Sequence, residues 1–371
     1  MTHHLTRLVL TATVLLISTP DVLAQVDRLA IDRVVKEEMQ AQELIGLAVG
    51  IIEDGEVAFV AAYGFEDREK YIPATTETMF RWASISKPLT AIAAVQLSEE
   101  DKLDLDADVR TLVPEFPDKG TPITTRQLLS HLGGIVHYSN GPVIRTERKY
   151  QQENPYESVI LALDTFKESP LVAKPGESFN YTTHGYILAS AAVERAGESP
   201  FHKQVDTRIA DPNGMKTLQP DYQWKSIPNR AAGYRKQKNA PAKTVARSSN
   251  TDVSWKLGGG GFISSIIDFA QFAAALCDEE FITPSMRKEL WERQRTNDGK
   301  KTRYGLGFTL DTIDGELAVS HGGAQEKVRG YLKVYPDRCW GIVVVTNTEH
   351  GVTRKIAAAL EKALTEKPES Q

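Results

Sequence analysis

The stretch Arg81-Trp82-Ala83-Ser84-Ile85-Ser86-Lys87-Pro88 decides how the rest of the chain is interpreted, because it places a serine three residues before a lysine at a predicted helix start. Apolar residues recur after it at helical spacing, which predicts an amphipathic helix over about residues 84–98. Pro88 has no N–H to donate and is tolerated only near a helix start, so Ser84 is expected at or just before the first turn. Residues three apart share a helix face, and the Ser84 and Lys87 side chains should therefore lie together.

A serine beside a lysine can carry chemistry, because a neutral amine can take the proton from a serine hydroxyl and make it a nucleophile. This requires the pKa of Lys87 to fall from about 10.4 towards about 7, which burial and neighbouring cations would have to supply. Ser86 is the weaker candidate nucleophile, since it faces elsewhere on the helix. The same short pattern also occurs at ordinary helix starts with a capping serine and a solvated lysine, so other segments have to support the catalytic interpretation.

The composition is that of an ordinary globular protein: 371 residues, 41% of them apolar and 25% charged, with a formal net charge of −5. A chain of this size predicts one large domain or two intimate ones. No run dense in lysine and arginine with interleaved aromatic residues occurs, which argues against a nucleic-acid partner.

The first 24 residues have the pattern of a secretory signal peptide. Arg7 precedes an apolar run from Leu8 to Ile17, and small or apolar residues lead to a cleavage site after about Ala24. The apolar run is about half the roughly 20 residues that a membrane span needs, and no later stretch is apolar enough, so we expect no stable membrane span. The sequence therefore predicts a secreted or periplasmic protein that consists of residues 25–371.

The cysteines and histidines give no sign of a disulfide-built fold or of a metal site. Cys277 and Cys339 are too few to build a fold, and they either pair after export or are ordinary core or surface residues. Outside the motifs described below, the histidines show no metal-ligand spacing, so neither a structural metal nor another cofactor is expected. After the first 24 residues, these histidines are His131, His137, His184, His202 and His350.

Strand patterns near both ends of the chain predict one antiparallel sheet built from the two termini. Residues 47–52 and 57–63 are apolar runs joined across Asp54-Gly55, a hairpin signal, and they follow a predicted helix at 26–44. Near the other end, a predicted helix at 352–364 follows a series of predicted strands: 304–310, 317–320, 329–335 and 341–346.

Helical patterns between these strands predict a mixed α/β (α+β) fold, in which an antiparallel sheet is flanked by helices. The sheet region is expected at about 26–75 and 295–365, with an inserted helical region at about 76–290. Within this insertion, Tyr181 lies just before a predicted helix, and another helix is expected to begin after Pro155, over 156–166.

Two other segments of the predicted insertion have no regular pattern. Residues 140–155 are polar and charged, and they form either a lid or rim or a solvated loop. The run Gly258-Gly259-Gly260-Gly261 lacks the lysine and serine or threonine of a phosphate-binding loop, which favours close backbone packing instead.

Three motifs, taken in order, carry a resemblance to a known family. Ser84-Ile85-Ser86-Lys87, Tyr181-Thr182-Thr183 and His321-Gly322-Gly323-Ala324 resemble the active-site motifs of serine β-lactamases and penicillin-binding proteins, most of all in the class C branch. The resemblance extends from about residue 28 to residue 364. A Ser-His-Asp enzyme of the α/β-hydrolase fold would need a G-x-S-x-G segment, which is absent from the sequence.

This resemblance implies a role for each motif. Ser84 would be the nucleophile that forms the acyl-enzyme, Lys87 its base, and Tyr181 the residue that relays protons to the leaving group. The backbone N–H groups of Ser84 and Ala324 would bind the oxyanion. Small residues such as Gly323 would let an edge strand approach the substrate backbone closely.

Two residues depart from the β-lactamase pattern, which affects substrate recognition. Thr183 stands where those enzymes have an asparagine, and His321, mostly neutral at pH 7 with its ordinary pKa of ~6.5, stands where they have a lysine. Both changes weaken recognition of a substrate carboxylate but leave the acylation machinery intact.

The three motifs together predict a serine hydrolase that forms an acyl-enzyme with a small-molecule or peptide substrate, which would be a peptide, amide or ester. The alternatives are a true β-lactamase or D-alanyl-D-alanine carboxypeptidase, or a non-catalytic scaffold of the same fold, and no pattern indicates an oligomeric state.

Overall fold

A large antiparallel sheet forms the base of the computed structural model, which describes residues 26–237 and 244–365. The strands of this part of the chain are, in order, β1 (Gly46–Glu53), β2 (Glu56–Asp67), β3 (Ile72–Pro73), β4 (Phe80–Arg81), β5 (Gln219–Pro220), β6 (Tyr234–Lys236), β7 (Val245–Arg247), β8 (Phe262–Ser264), β9 (Thr309–Ile313), β10 (Glu316–Gln325), β11 (Val328–Tyr335) and β12 (Trp340–Thr346). Seven of them form the large sheet in the order β3-β2-β1-β12-β11-β10-β9. Two small sheets, β4-β8-β5 and β6-β7, lie outside it.

The large sheet is built from both ends of the described chain, as the sequence predicts. Strand β1 pairs antiparallel with β2 on one side and with β12 on the other, so that Leu47 lies between Tyr63 and Thr346. The β1–β2 turn needs left-handed backbone at both central positions, which Asp54 (φ 51°) and Gly55 (φ 78°) supply. The mixed α/β fold with an antiparallel sheet is therefore confirmed.

Helices cover both faces of this sheet. In chain order the helices of the described chain are α1 (Arg28–Gln42), α2 (Ser86–Glu99), α3 (Thr125–Leu129), α4 (Val159–Ala162), α5 (Thr183–Ala196), α6 (Phe201–Val205), α7 (Leu257–Gly260), α8 (Ile266–Ala275), α9 (Pro284–Trp291) and α10 (Thr353–Thr365), and a π-helical turn, Asp206–Ala210, continues α6. Alternate residues of β1 enter opposite cores: Val49 packs in the core with α1 and α10, and Ala48 in the larger core with α2 and α8. Because both faces are covered, residues 46–52 are all buried.

Three of the predicted elements differ from the structure. The helix expected at 156–166 is broken into two 3₁₀ turns and the short α4, because Ser158 has extended backbone (φ −94°, ψ 121°). The strand expected at 304–310 begins only at Thr309. Helix α2 is buried on nearly all sides and is not amphipathic, because it packs against α5, α6, α7 and α9.

The glycine run at 258–261 and the segment at 140–155 both lie beside this central helix bundle. A Cβ on Gly258 would lie 2.5 Å from the Cβ of Ser190 in α5, so the glycines do permit close packing. Residues 140–155 contain no helix or strand except the start of the 3₁₀ turn at Pro155, and Arg148 and Tyr150 anchor the segment to the buried Asp164. None of the helices in the described part of the chain is both long and apolar enough to cross a bilayer.

Candidate active site

The first side chain of the site, Ser84, lies in a 3₁₀ turn, Ala83–Ile85, directly before α2. Ala83 has φ 49°, a left-handed conformation that costs a non-glycine residue free energy and is typical of functional turns. A backbone hydrogen bond holds the start of this turn against β8: the Trp82 N–H donates to the Phe262 carbonyl oxygen at 2.8 Å. Ser84 is partly exposed while Ala83 and Ile85 are buried, so the turn presents the Ser84 side chain to the cleft.

The neighbouring serine has a structural position. Ser86 is fully buried, and its Oγ accepts a hydrogen bond from the Phe262 N–H at 3.4 Å. A hydroxyl with no exposed surface cannot attack a substrate, so the structure favours Ser84 over Ser86 as the nucleophile.

Lys87 lies one turn along and is fully buried, yet no carboxylate in the described chain pairs with it. Its Nζ is 3.2 Å from Ser84 Oγ, 2.8 Å from the Gly259 carbonyl oxygen and 3.4 Å from Thr183 Oγ1. Burial, and next the positive charge of Lys256, lower the pKa of Lys87 well below its ordinary value. A neutral amine fits these contacts: it donates its two hydrogens to Gly259 and Thr183, and its lone pair faces the Ser84 hydroxyl.

Tyr181 completes the group around the nucleophile. The Lys87 Nζ lies 4.9 Å from the centre of the Tyr181 ring, and the phenol hydrogen-bonds to Ser84. Burial raises the pKa of Tyr181 well above its ordinary value, although the bond to Ser84 acts in the opposite direction. The phenol is therefore protonated at neutral pH and can donate its proton.

Two buried histidines hold the loop that carries Tyr181. The Nδ1 atoms of His131 and His137 accept hydrogen bonds, both 3.1 Å long, from the consecutive N–H groups of Thr182 and Thr183. An imidazole can accept at Nδ1 only when that nitrogen carries no proton, so both rings are neutral. Burial is the largest of the causes that lower the pKa of His137 to about 4, which agrees with this state. The His131 ring also packs against Tyr181, with ring centres 4.2 Å apart.

His321 is bound within the protein through both ring nitrogens. Its Nδ1 lies 2.8 Å from the Gly322 carbonyl oxygen, and its Nε2 lies 2.8 Å from the Tyr304 hydroxyl. A carbonyl only accepts, so Nδ1 carries the hydrogen and Nε2 accepts from Tyr304. Burial is the largest of the causes that lower the pKa of His321 to about 3. His321 is thus neutral at pH 7, and neither of its nitrogens is free to bind a substrate carboxylate.

Strand β10 forms the far side of the cleft. Strand β9 pairs with β10 only as far as Ser320, so residues 321–325 have a free edge although β10 is not an edge strand along its whole length. The two glycines of this segment differ in role. A Cβ on Gly323 would approach the Trp82 carbonyl oxygen to 2.5 Å, which means that Gly323 lets the strand pack on the nucleophile turn. Gly322 and Ala324 are exposed, on the opposite side.

The structure thus brings the sequence-predicted residues together around one cleft, and their assigned roles stay predictions. Four further residues of the site were not predicted for it. Tyr304 lies in a segment expected to be a strand, and Lys256 immediately precedes the glycine-rich helix α7. The other two, His131 and His137, were not expected to contribute to the site. The one signal in the sequence that could have pointed to the site is the position of His131, a polar residue at the end of a mostly apolar segment.

Comparison with known proteins decides the family. The sequence profile described as Beta-lactamase matches residues 31–366. The chain belongs to the beta-lactamase family. The family predicted from the three motifs is therefore confirmed.

Several relatives are similar to this member of the family. The human serine beta-lactamase-like protein LACTB, mitochondrial, is 32% identical over 304 residues, which cover 65% of this chain and 54% of that protein. The putative penicillin-binding protein PbpX of Bacillus subtilis is 30% identical over 258 residues, 70% of this chain and 60% of PbpX. The chain thus spans little more than half the length of the curated relatives it matches.

Solved structures share the fold at lower identity. The octameric penicillin-binding protein homologue of Pyrococcus abyssi has a TM-score of 0.74 at 24% identity, covering 91% of this chain and 77% of that one. The D-amino acid amidase of Ochrobactrum anthropi also has a TM-score of 0.74, at 19% identity, covering 90% of this chain and 97% of that one. At these identities the similarity is one of fold.

The position of Lys256 generates a prediction about pH. As the pH falls through the lowered pKa of Lys87, the amine gains a proton and loses the lone pair that faces Ser84, so kcat/KM should fall on the acid side. Lys256→Met removes a charge that lowers this pKa, so the acid limb should move to higher pH. Lys256→Arg keeps the charge and should leave the limb in place. Profiles of kcat/KM against pH for the three proteins test this, and identical limbs in all three would contradict it.

Proposed function

We propose that the protein hydrolyses amides, peptides or esters through an acyl-enzyme on Ser84. The observation that carries this proposal is the contact of 3.2 Å between Ser84 Oγ and a fully buried Lys87 amine that lacks a carboxylate partner in the described chain. The retained pair of Lys87 and Tyr181 argues against a non-catalytic scaffold. The names of the structural neighbours, which include an amidase, also support a hydrolase.

In this mechanism, the Ser84 oxygen attacks the substrate carbonyl while its proton passes to the lone pair of Lys87. The backbone N–H groups of Ser84 and Ala324 stabilise the oxyanion, a contribution of about 3 to 4 kcal/mol for each donor. When the tetrahedral intermediate collapses, the leaving group departs with a proton from Tyr181, which Lys87 then reprotonates. Water attacks the acyl-enzyme in a second round, and Ser84 regains its proton.

Labelling with a fluorophosphonate tests this function directly. Ser84→Ala should abolish covalent labelling, because the only hydroxyl placed beside Lys87 in this turn is removed. Ser86→Ala is the matched control: it removes a buried hydroxyl two residues away and should leave labelling in place. Intact-mass spectrometry of the labelled proteins gives the result, and thermal unfolding checks that both variants are folded. A labelled Ser84→Ala protein would refute the assignment.

Substrate preference is expected to follow from the residues that replace the β-lactamase lysine and asparagine. His321 uses both ring nitrogens within the protein, and Thr183 Oγ1 accepts a hydrogen bond from the Lys87 amine. Neither side chain therefore offers a substrate carboxylate the strong anchor that a lysine or an asparagine would give. Each missing anchor weakens binding by roughly 1 to 3 kcal/mol. We therefore propose that neutral acyl groups are better substrates than penicillins or cephalosporins.

A comparison of two substrates tests this preference. The protein should hydrolyse an activated acyl ester with a higher kcat/KM than nitrocefin. Thr183→Asn combined with His321→Lys restores both anchors and should narrow the ratio by about tenfold or more, the equivalent of one such contact. Thr183→Asn with His321→Gln, which adds no charge, should narrow it less. Efficient nitrocefin hydrolysis by the unaltered protein would count against the proposal.

We also propose that the protein is exported and cleaved after about Ala24, which the pattern of residues 1–24 supports. These residues lie outside the part of the chain that the structure describes. The full sequence, expressed in a bacterium with an outer membrane, should yield a periplasmic protein that begins at about Gln25. Mass spectrometry of its first peptide provides the measurement, and a cytoplasmic protein that still carries residues 1–24 would contradict export.

A further inference from the structure

The two cysteines lie together at the end of the sheet where the β1–β2 and β11–β12 turns meet. Cys277 follows the C-terminal end of α8, and Cys339 lies in the turn between β11 and β12. A Cβ placed on Gly55 would be 3.7 Å from the Cys277 Cβ and 3.9 Å from the Cys339 Cβ, so both cysteines flank the same glycine. A side chain at position 55 would therefore contact both cysteines, and the glycine leaves that space open.

Direct interaction between the thiols supports this arrangement. Burial, and then the charge and hydrogen bonding of the neighbouring Cys339 thiol, raise the pKa of Cys277 to about 12. Cys339 Sγ also donates to the Pro336 carbonyl oxygen at 3.4 Å, which holds it at the surface of the core. The two positions lie far apart in the sequence, so only the fold brings them together.

The backbone around both cysteines is well fixed. The Gly55 N–H donates to the Cys339 carbonyl at 3.0 Å, and Arg287 donates to the Cys277 carbonyl at 3.1 Å. Cys339 itself has φ 48°, within the left-handed region that the end of its 3₁₀ turn requires. A bond between these side chains therefore joins positions that are already held close, and little backbone movement is needed to form it.

We propose that Cys277 and Cys339 form an intramolecular disulfide when the folded protein meets a disulfide oxidant such as oxidised glutathione. The Cys339 thiolate, on the partly exposed side, attacks one glutathione sulfur and releases the other glutathione as a thiolate. The Cys277 thiol then loses its proton to solvent, attacks the Cys339 sulfur and releases the second glutathione thiolate. The two protein thiols lose two electrons and two protons in total, and oxidised glutathione takes up the two electrons.

The bond would tie the end of α8 to the sheet. Helix α8 packs on β1, β2 and β12, and it follows β8, which pairs with β4 just ahead of the nucleophile turn. A link between Cys277 and Cys339 closes a long loop, which restricts the unfolded chain far more than the folded one. The oxidised protein should therefore unfold at a higher temperature than the reduced protein.

Intact mass after oxidation tests the proposal without reference to enzymatic activity. The native full chain is equilibrated with excess oxidised glutathione, then unfolded in guanidinium with iodoacetamide. We expect a protein that has lost two hydrogens, carries neither alkyl nor glutathione groups, and yields one linked pair of peptides containing Cys277 and Cys339. Alkylation of both thiols, stable glutathione adducts, or links between two chains would each overturn the proposal.

Variants that lack one cysteine distinguish the effect of the disulfide bond from a general effect of the oxidant. In the unaltered protein, oxidation should raise the unfolding temperature by about 5 °C or more, and dithiothreitol should reverse the change. Cys277→Ala and Cys339→Ala should show no such difference between oxidised and reduced samples. Cys339→Ala lies outside the deeply buried core, so it keeps the test usable if Cys277→Ala folds poorly. An equal rise in both variants would overturn the proposal.

Discussion

The site depends on an amine that is buried without a compensating carboxylate in the described chain. Desolvation of an ammonium ion is expensive, and the cheapest response of Lys87 is to lose its proton, which gives a neutral base beside the Ser84 hydroxyl. The surroundings of Lys87 are arranged accordingly: carbonyl and hydroxyl oxygens accept its hydrogens, and the nearby charge is that of Lys256. The helices packed around α2 thus bury the Lys87 Nζ atom away from water and from carboxylates of the described chain.

The titratable side chains around Lys87 are uncharged as well. His131 and His137 accept backbone hydrogen bonds, His321 accepts from Tyr304, and burial keeps the Tyr181 phenol protonated. A deprotonated Tyr181 would add negative charge beside Lys87, and protonation of a histidine at its accepting nitrogen would disrupt the hydrogen bond that it accepts. The site thus works as a set of groups that hold one protonation pattern together, and its substrate is expected to bring little charge into it.

Local patterns in the sequence predicted the parts of this arrangement that local physics determines. Asp54-Gly55 predicted the β1–β2 hairpin, because both residues readily adopt the left-handed backbone that its turn needs. The helical pattern of α5 likewise placed Tyr181 just before the start of that helix. Long-range contacts could not be predicted in the same way. Lys256 acts on Lys87 from a distant segment. Helix α2, which the spacing of its apolar residues predicts to be amphipathic, is instead enclosed by helices that only the fold brings to it. The break at Ser158 in the helix expected over 156–166 likewise has no strong signal in the sequence.

Strand β9 stops pairing with β10 at Ser320, and the free edge that this leaves on β10 is too short to favour pairing with another chain at this place. Exposed strand edges attract the edges of other chains, and natural proteins limit this hazard by keeping open edges short or covered. Residues 321–325 are too few to template a stable foreign strand, and two of them are glycine, which weakens β pairing. The free segment of β10 beside the Ser84 turn thus exposes backbone groups over only five residues, which gives a second copy of this sheet little to pair with there.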